Sequence, residues 1–177
     1  IANIVLAPLM VMLMWDKVSH SALQVWLATV CSVHAAEFFF WQRDHNKATT
    51  VSDIRRWDSI FRRMTALAAI AWGSAGVIMF VPGDMAYQAL MICVVMGLSA
   101  GAATSNPFHP PSMFIYQLFI ILPLLFRIAW ENDATHWILA TMLSLFCFFV
   151  FNSALKLILT FELSQRRRFE NERLVGA

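Results

Sequence analysis

Long apolar stretches separated by short polar ones run the length of this chain, and none alternates with the two-residue period of a strand. Six stretches stand out, set against the ~20 residues that a helix needs to cross a bilayer. They are Ile1–Trp15, Ser19–Trp41, Met64–Val81, Met85–Ser105, Pro111–Trp130 and His136–Phe161. The first is short, and Ile1 already lies inside it without a Met, so a preceding stretch is expected. The pattern predicts an all-α bundle of six transmembrane helices.

Helix breakers set the joints. Pro82-Gly83-Asp84 predicts a tight turn between the third and fourth spans. Pro107, Pro110 and Pro111 make a stiff connection, and proline is tolerated in the first turn of the fifth span. Pro8 and Pro123 lie inside spans one and five, where each removes a backbone hydrogen bond and kinks its helix. In a bilayer the carbonyl freed by Pro123, that of Phe119, must find another partner.

Two segments extend beyond the spans. His45–Ser52 is polar, and 53–63 is amphipathic. Ile54, Trp57, Ile60 and Phe61 share one face, while Arg55, Arg56, Arg62 and Arg63 point elsewhere. This predicts an interfacial helix over 53–63, capped by Ser52 or Asp53 and running into span three, with the arginines as anchors on anionic headgroups of the lipid bilayer. At the other end, nothing interrupts a helix between His136 and Val175, which would be ~60 Å long. Residues 1–161 therefore read as a transmembrane domain, and 162–177 as a helical linker.

Composition agrees. The chain of 177 residues is 59% hydrophobic and 14% charged, with mean hydropathy +0.63, whereas soluble domains are about 25% charged. Of 13 Lys and Arg, six fall between Gln42 and Arg63 and four more are Arg166, Arg167, Arg168 and Arg173. Basic flanks stay in the cytoplasm, so both termini are expected there. The opposite loops carry Asp16, Lys17, Asp84, Glu131 and Asp133, with Arg127 just inside span five. Trp15, Trp130 and Trp137 are expected at the outer interface, Trp41 and Trp57 near the inner one, and Trp26 and Trp72 packed more deeply. Cys31, Cys93 and Cys147 fall in apolar runs with no spacing motif, which argues against a disulfide or zinc framework and reads as small buried hydrophobes.

Ionisable and polar groups inside the spans are the candidate chemistry. His34 and Glu37 share a face of span two: either a proton- or ligand-responsive pair, or a hydrogen bond that orients the bundle. Arg127 precedes Glu131 by one turn: either an ion pair at the interface, or an anion site beside the proline kink. His20 and His136 open spans two and six. With Asp16, Glu131 and Asp133 near in sequence, they would make an outer cation or metal site if those helices are neighbours, and are otherwise solvated interface residues. Gly97 and Gly101 form a GxxxG that, with Ala69, Gly73 and Gly76, predicts close packing of spans three and four; the alternatives for the same surface are a subunit interface or the flank of a lipid-tail pocket. Asn152 reaches either a symmetry mate across a dimer axis or a partner within the bundle, and Gln117 is similar. No catalytic motif occurs: no HExxH, no G-x-S-x-G and no phosphate loop. No cofactor, metal or nucleic-acid partner is expected.

The combined motifs carry a resemblance. They are Arg55-Arg56-Trp57, Ala71-Trp72-Gly73-Ser74-Ala75-Gly76, Ala86-Tyr87-Gln88-Ala89-Leu90 within the Asp84–Gly101 stretch, and Arg168-Phe169-Glu170-Asn171-Glu172-Arg173-Leu174. In this order and spacing the chain resembles, over nearly its whole length, the N-terminal six-span sensor region of bacterial sensor histidine kinases and of some diguanylate cyclases. The resemblance implies a homodimeric signal receiver in the bacterial inner membrane. It would respond to an unidentified small-molecule or lipid ligand and relay the stimulus through span six to a kinase or cyclase domain beyond Ala177. His34, Glu37, Trp72, Arg127 and Asn152 are the sensing candidates. The rival expectation is a small transporter or channel.

Overall fold

The computed structural model describes residues 2–44, 51–105 and 109–175. Six helices follow in chain order: α1 Ala2–Met14, α2 His20–Asp44, α3 Val51–Ile78, α4 Met85–Ser105, α5 Pro110–Trp130 and α6 Ala134–Val175. No strand occurs among the described residues. Four of them, α2, α4, α5 and α6, are long and apolar enough to cross a membrane, while α1 is a shorter apolar helix. Large apolar side chains face outward around the bundle, among them Phe38, Phe126, Met142, Phe148 and Phe149. Such a continuous apolar exterior is compatible with a multi-pass membrane protein.

The predicted interfacial helix and the third span form one unbroken helix. It starts at Val51, so Asp53 stands in its first turn rather than at its cap. The expected polar stretch falls mostly on residues 45–50, and Pro107 on 106–108, both outside the described residues. The Pro82-Gly83 turn is present: Gly83 takes φ +77, a left-handed conformation that glycine adopts without steric cost. The α1–α2, α3–α4 and α5–α6 connections share an end of the bundle that we term acidic. The opposite, basic end carries Arg43, Arg55, Arg56 and Arg63, all exposed.

Packing departs from expectation at the small residues. The tightest seam joins α3 to α5, not α3 to α4. A Cβ added at Gly73 would meet the Phe119 carbonyl oxygen at 2.1 Å, and one added at Gly76 would meet the Leu124 Cβ at 2.8 Å. Gly97 and Gly101 have nothing within 4 Å of such a position. Their GxxxG faces open space, because α4 packs on α5 and α6 through other residues, Gln88, Met91, Val95 and Ser99. The α4–α5 contact is closed instead by a reciprocal pair: Ser99 Oγ donates to Gln117 Oε1, and Gln117 Nε2 donates to the Ser99 carbonyl at 2.8 Å.

The last helix is continuous, as its composition predicts. Its buried residues are His136, Ala140, Leu143, Ala154 and Ile158, with Cys147 and Val150 half-buried between them. Steps of three and four residues make a single stripe, and that stripe lies on α4 and α5. The cysteines are free, but Cys31 and Cys93 are exposed on the outer faces of their helices rather than buried.

Candidate functional site

The centre of the bundle holds a chain of three side chains. Trp72 is 1% exposed, and an indole N–H so placed needs an acceptor. It donates to His34 Nε2 at 3.2 Å. The other imidazole nitrogen, Nδ1, lies 2.8 Å from Glu37 Oε2. The order follows from helical spacing and chain reversal: positions 34 and 37 share a face of α2, and α3 returns Trp72 to that face. Trp26 braces the site from α2. It meets Trp72 edge-on, with ring centroids 5.3 Å apart, and donates its own N–H to the Ala71 carbonyl at 2.9 Å.

Two cavities border the pair. One, about 500 Å³, is walled by Phe38, Trp41, Trp57, Phe61 and Met64. The other, about 290 Å³, is walled by Thr65, Ala68, Gly97, Gly101 and Tyr116. Asn3, His34, Glu37 and Phe61 line both. The open GxxxG of α4 is thus a wall of the smaller cavity, where the absence of side chains makes room.

The remaining sequence candidates lie elsewhere. Arg127 pairs with Glu131 at 2.6 Å and sits 4.3 Å above the Phe80 ring, which is the ion-pair alternative. Asn152 donates to the Phe148 carbonyl one turn back on its own helix at 2.8 Å. The proposed cation site is not assembled: α2 and α6 make no contact. His20 stacks on Trp15 at 4.1 Å, and His136 is buried against α4. Asp16 is exposed, and no group of three or more metal-ligating side chains occurs among the described residues. Of the headgroup anchors, Arg55, Arg56 and Arg63 are exposed, while Arg62 is tied to Asp58 at 2.6 Å.

Three polar clusters were missed by sequence reasoning. At the acidic end, His136 Nδ1 lies 2.7 Å from Asp133 Oδ2, and its Nε2 lies 2.9 Å from Gln88 Oε1. Gln88 donates its amide to the Val81 carbonyl at 3.0 Å. Asp133 also accepts the His136 backbone N–H at 2.8 Å, and these two bonds hold its carboxyl below the usual carboxylate range against desolvation. Nearby, Lys17 pairs with Asp84 at 3.0 Å and lies over the Tyr87 ring at 4.8 Å. The bond to Asp84 raises the Lys17 ammonium and lowers the Asp84 carboxyl.

At the basic end His109 caps α5, accepting the Ser112 N–H at Nδ1 and facing Asp58 through Nε2. That bond, joined by the charge of Arg62, holds the Asp58 carboxyl below its ordinary value. Each cluster is closed by a bond between residues 48 to 67 positions apart, which no local spacing could reveal, although Asp133–His136 and Asp58–Arg62 are themselves helical neighbours. The one signal available was a set of acidic and imidazole residues at predicted span ends.

No family model, curated protein or solved structure matches the chain.

Proposed function

We propose that this chain is the membrane input region of a signalling protein, with six spans, both ends on the cytoplasmic side and α6 as its output shaft. The observation that carries this reading is α6 itself. Its 42 residues extend ~63 Å at 1.5 Å per residue, about twice the ~30 Å hydrocarbon thickness. A helix that only anchored the bundle would need no such extension. The stripe from His136 to Ile158 couples α6 to α4 and α5, and Gly97, Gly101 and Tyr116 of those helices wall the cavity beside His34 and Glu37. A ligand there would shift α4 or α5, and α6 would deliver the shift as a small rotation or translation. The segregation of acidic and basic residues to opposite ends supports the orientation. The exposed apolar face of α6, with Phe148 and Phe149, is the proposed homodimer surface.

The test inserts one to four residues after Gln165 in a chain joined to a cytoplasmic kinase or cyclase domain. Output should vary with helical phase, furthest from normal at two residues and nearest to it at four, since a turn takes ~3.6 residues. Output indifferent to phase would overturn rigid transmission. The rival reading, a small transporter or channel, draws on the two cavities and predicts solute flux in proteoliposomes without any output domain.

A further inference from the structure

The hydrogen bonds of the central site fix which nitrogen His34 turns to each neighbour. An indole N–H can only donate, so the Trp72 bond requires a lone pair on His34 Nε2. The proton of the imidazole then stands on Nδ1, where it points at Glu37 Oε2. His34 is therefore neutral as long as Trp72 holds it, and it serves Glu37 as a hydrogen-bond donor rather than as a counter-ion. Among the described residues no Lys or Arg pairs with Glu37, and none bonds its second oxygen, Oε1. The Glu37 side chain keeps 35% of its exposure, so this oxygen is open to a ligand entering the cavities, and a cation there would offset the cost of a carboxylate beside apolar helices.

The walls say which cation would suit it. Phe61 lies at the junction of the two cavities, Trp41 and Trp57 line the larger and Tyr116 the smaller. Aromatic faces attract ammonium groups and accommodate the alkyl carbons attached to them. Asn3 adds a carboxamide to both cavities. A hard metal ion would want several oxygen ligands, and no cluster of three acidic, imidazole or thiol groups occurs among the described residues. We infer that the His34–Glu37 crevice is a binding site for an alkylammonium group, whose charge meets Glu37 Oε1 while its carbon body lies against the aromatic wall. A free amine and the headgroup of an ethanolamine lipid both carry such a group. The assignment names the ligand class for the receptor proposed above, but binding is read without an output domain, so either idea can fail alone.

The experiment uses the whole chain in nanodiscs. In the first arm, phosphatidylglycerol discs are titrated with n-butylammonium, followed by tryptophan fluorescence and by retention of the labelled amine, with 1-butanol as the neutral control. In the second arm no amine is added, and phosphatidylethanolamine replaces part of the lipid. Saturable binding of the amine that butanol neither reproduces nor competes with assigns a free amine. A saturable fluorescence change with ethanolamine lipid assigns a headgroup. In either case Glu37→Gln should weaken binding tenfold or more, with the near-ultraviolet circular dichroism of the folded protein retained. If Glu37→Gln fails to fold, the comparison of amine with alcohol on the native chain decides. No saturable binding in either arm, equal binding of the alcohol, or an unchanged affinity in folded Glu37→Gln would each overturn the assignment.

Discussion

Gly73 lies against the carbonyl oxygen of Phe119, so close that a Cβ at position 73 would stand 2.1 Å from it. That oxygen is the acceptor that Pro123, four residues on, leaves without its helical N–H. A glycine hydrogen points at it in the geometry of a Cα–H···O contact, a weak bond that recurs where helices approach closely. The proline of α5 and a glycine of α3 are thus two halves of one feature.

Substitution at this seam should be severe. Gly73→Ala forces backbone apart rather than moving a flexible side chain, and should cost about 2 kcal/mol or more. Gly97→Ala meets nothing and should be neutral or stabilising by up to about 1 kcal/mol through helix propensity. Thermal unfolding in detergent compares the two. Equal effects would mean that α3 and α5 are not so close.

Trp72→Phe keeps an aromatic ring but removes the donor to His34. The loss should be roughly 1 kcal/mol from the hydrogen bond, and the imidazole should no longer be held in one tautomer. Nitrogen NMR of histidine-labelled protein reads this directly: Nδ1 protonated and Nε2 bare at His34 in the native chain, a mixture in the variant. A native Nε2–H signal would contradict the arrangement.

The start of α6 should respond to acid. The Asp133 carboxyl is held down by its bonds to His136, so its contribution to stability is fully present above the ordinary Asp value of about 3.9. It is lost as pH falls through the lower, folded value. The stability gap between native protein and Asp133→Asn should be present at about pH 5 and close as pH falls below about 4. A gap that persisted at lower pH would show that the carboxylate form is not the one bonded.

The stripe on α6 predicts opposite outcomes for neighbouring residues. Leu143 is 1% exposed and Phe148 is 62% exposed. Leu143→Ala should cost roughly 2–5 kcal/mol by opening a cavity, whereas Phe148→Ala should cost under about 0.5 kcal/mol in the monomer. The reverse ranking would mean that α6 is turned the other way.

Helices, breaks and the sorting of charge were legible along the chain because each has a local cause. Apolar runs of helical length, Pro82-Gly83, Pro110 and the arginine clusters act within a few residues of themselves. Even the continuity of α6 followed from the absence of Pro and Gly before Gly176. The pairing of His34 with Glu37 was legible for the same reason, since three residues make a helical neighbour. The bond from Trp72 to His34 was not, because it joins residues 38 positions apart.

What only the tertiary structure decided is which surfaces meet. Small residues announce that a helix can be approached closely, but not by what. Gly73 and Gly76 receive α5, while the more recognisable Gly97-x-x-x-Gly101 receives nothing and opens a cavity. Likewise His20 and His136 looked alike as outer histidines, yet one stacks on its own loop and the other is buried on Gln88. The sequence by itself determined the helices and their ends, through interactions that span a turn or less. Partner choice and the site at the centre depend on how whole helix faces fit, and that is a property of the folded bundle.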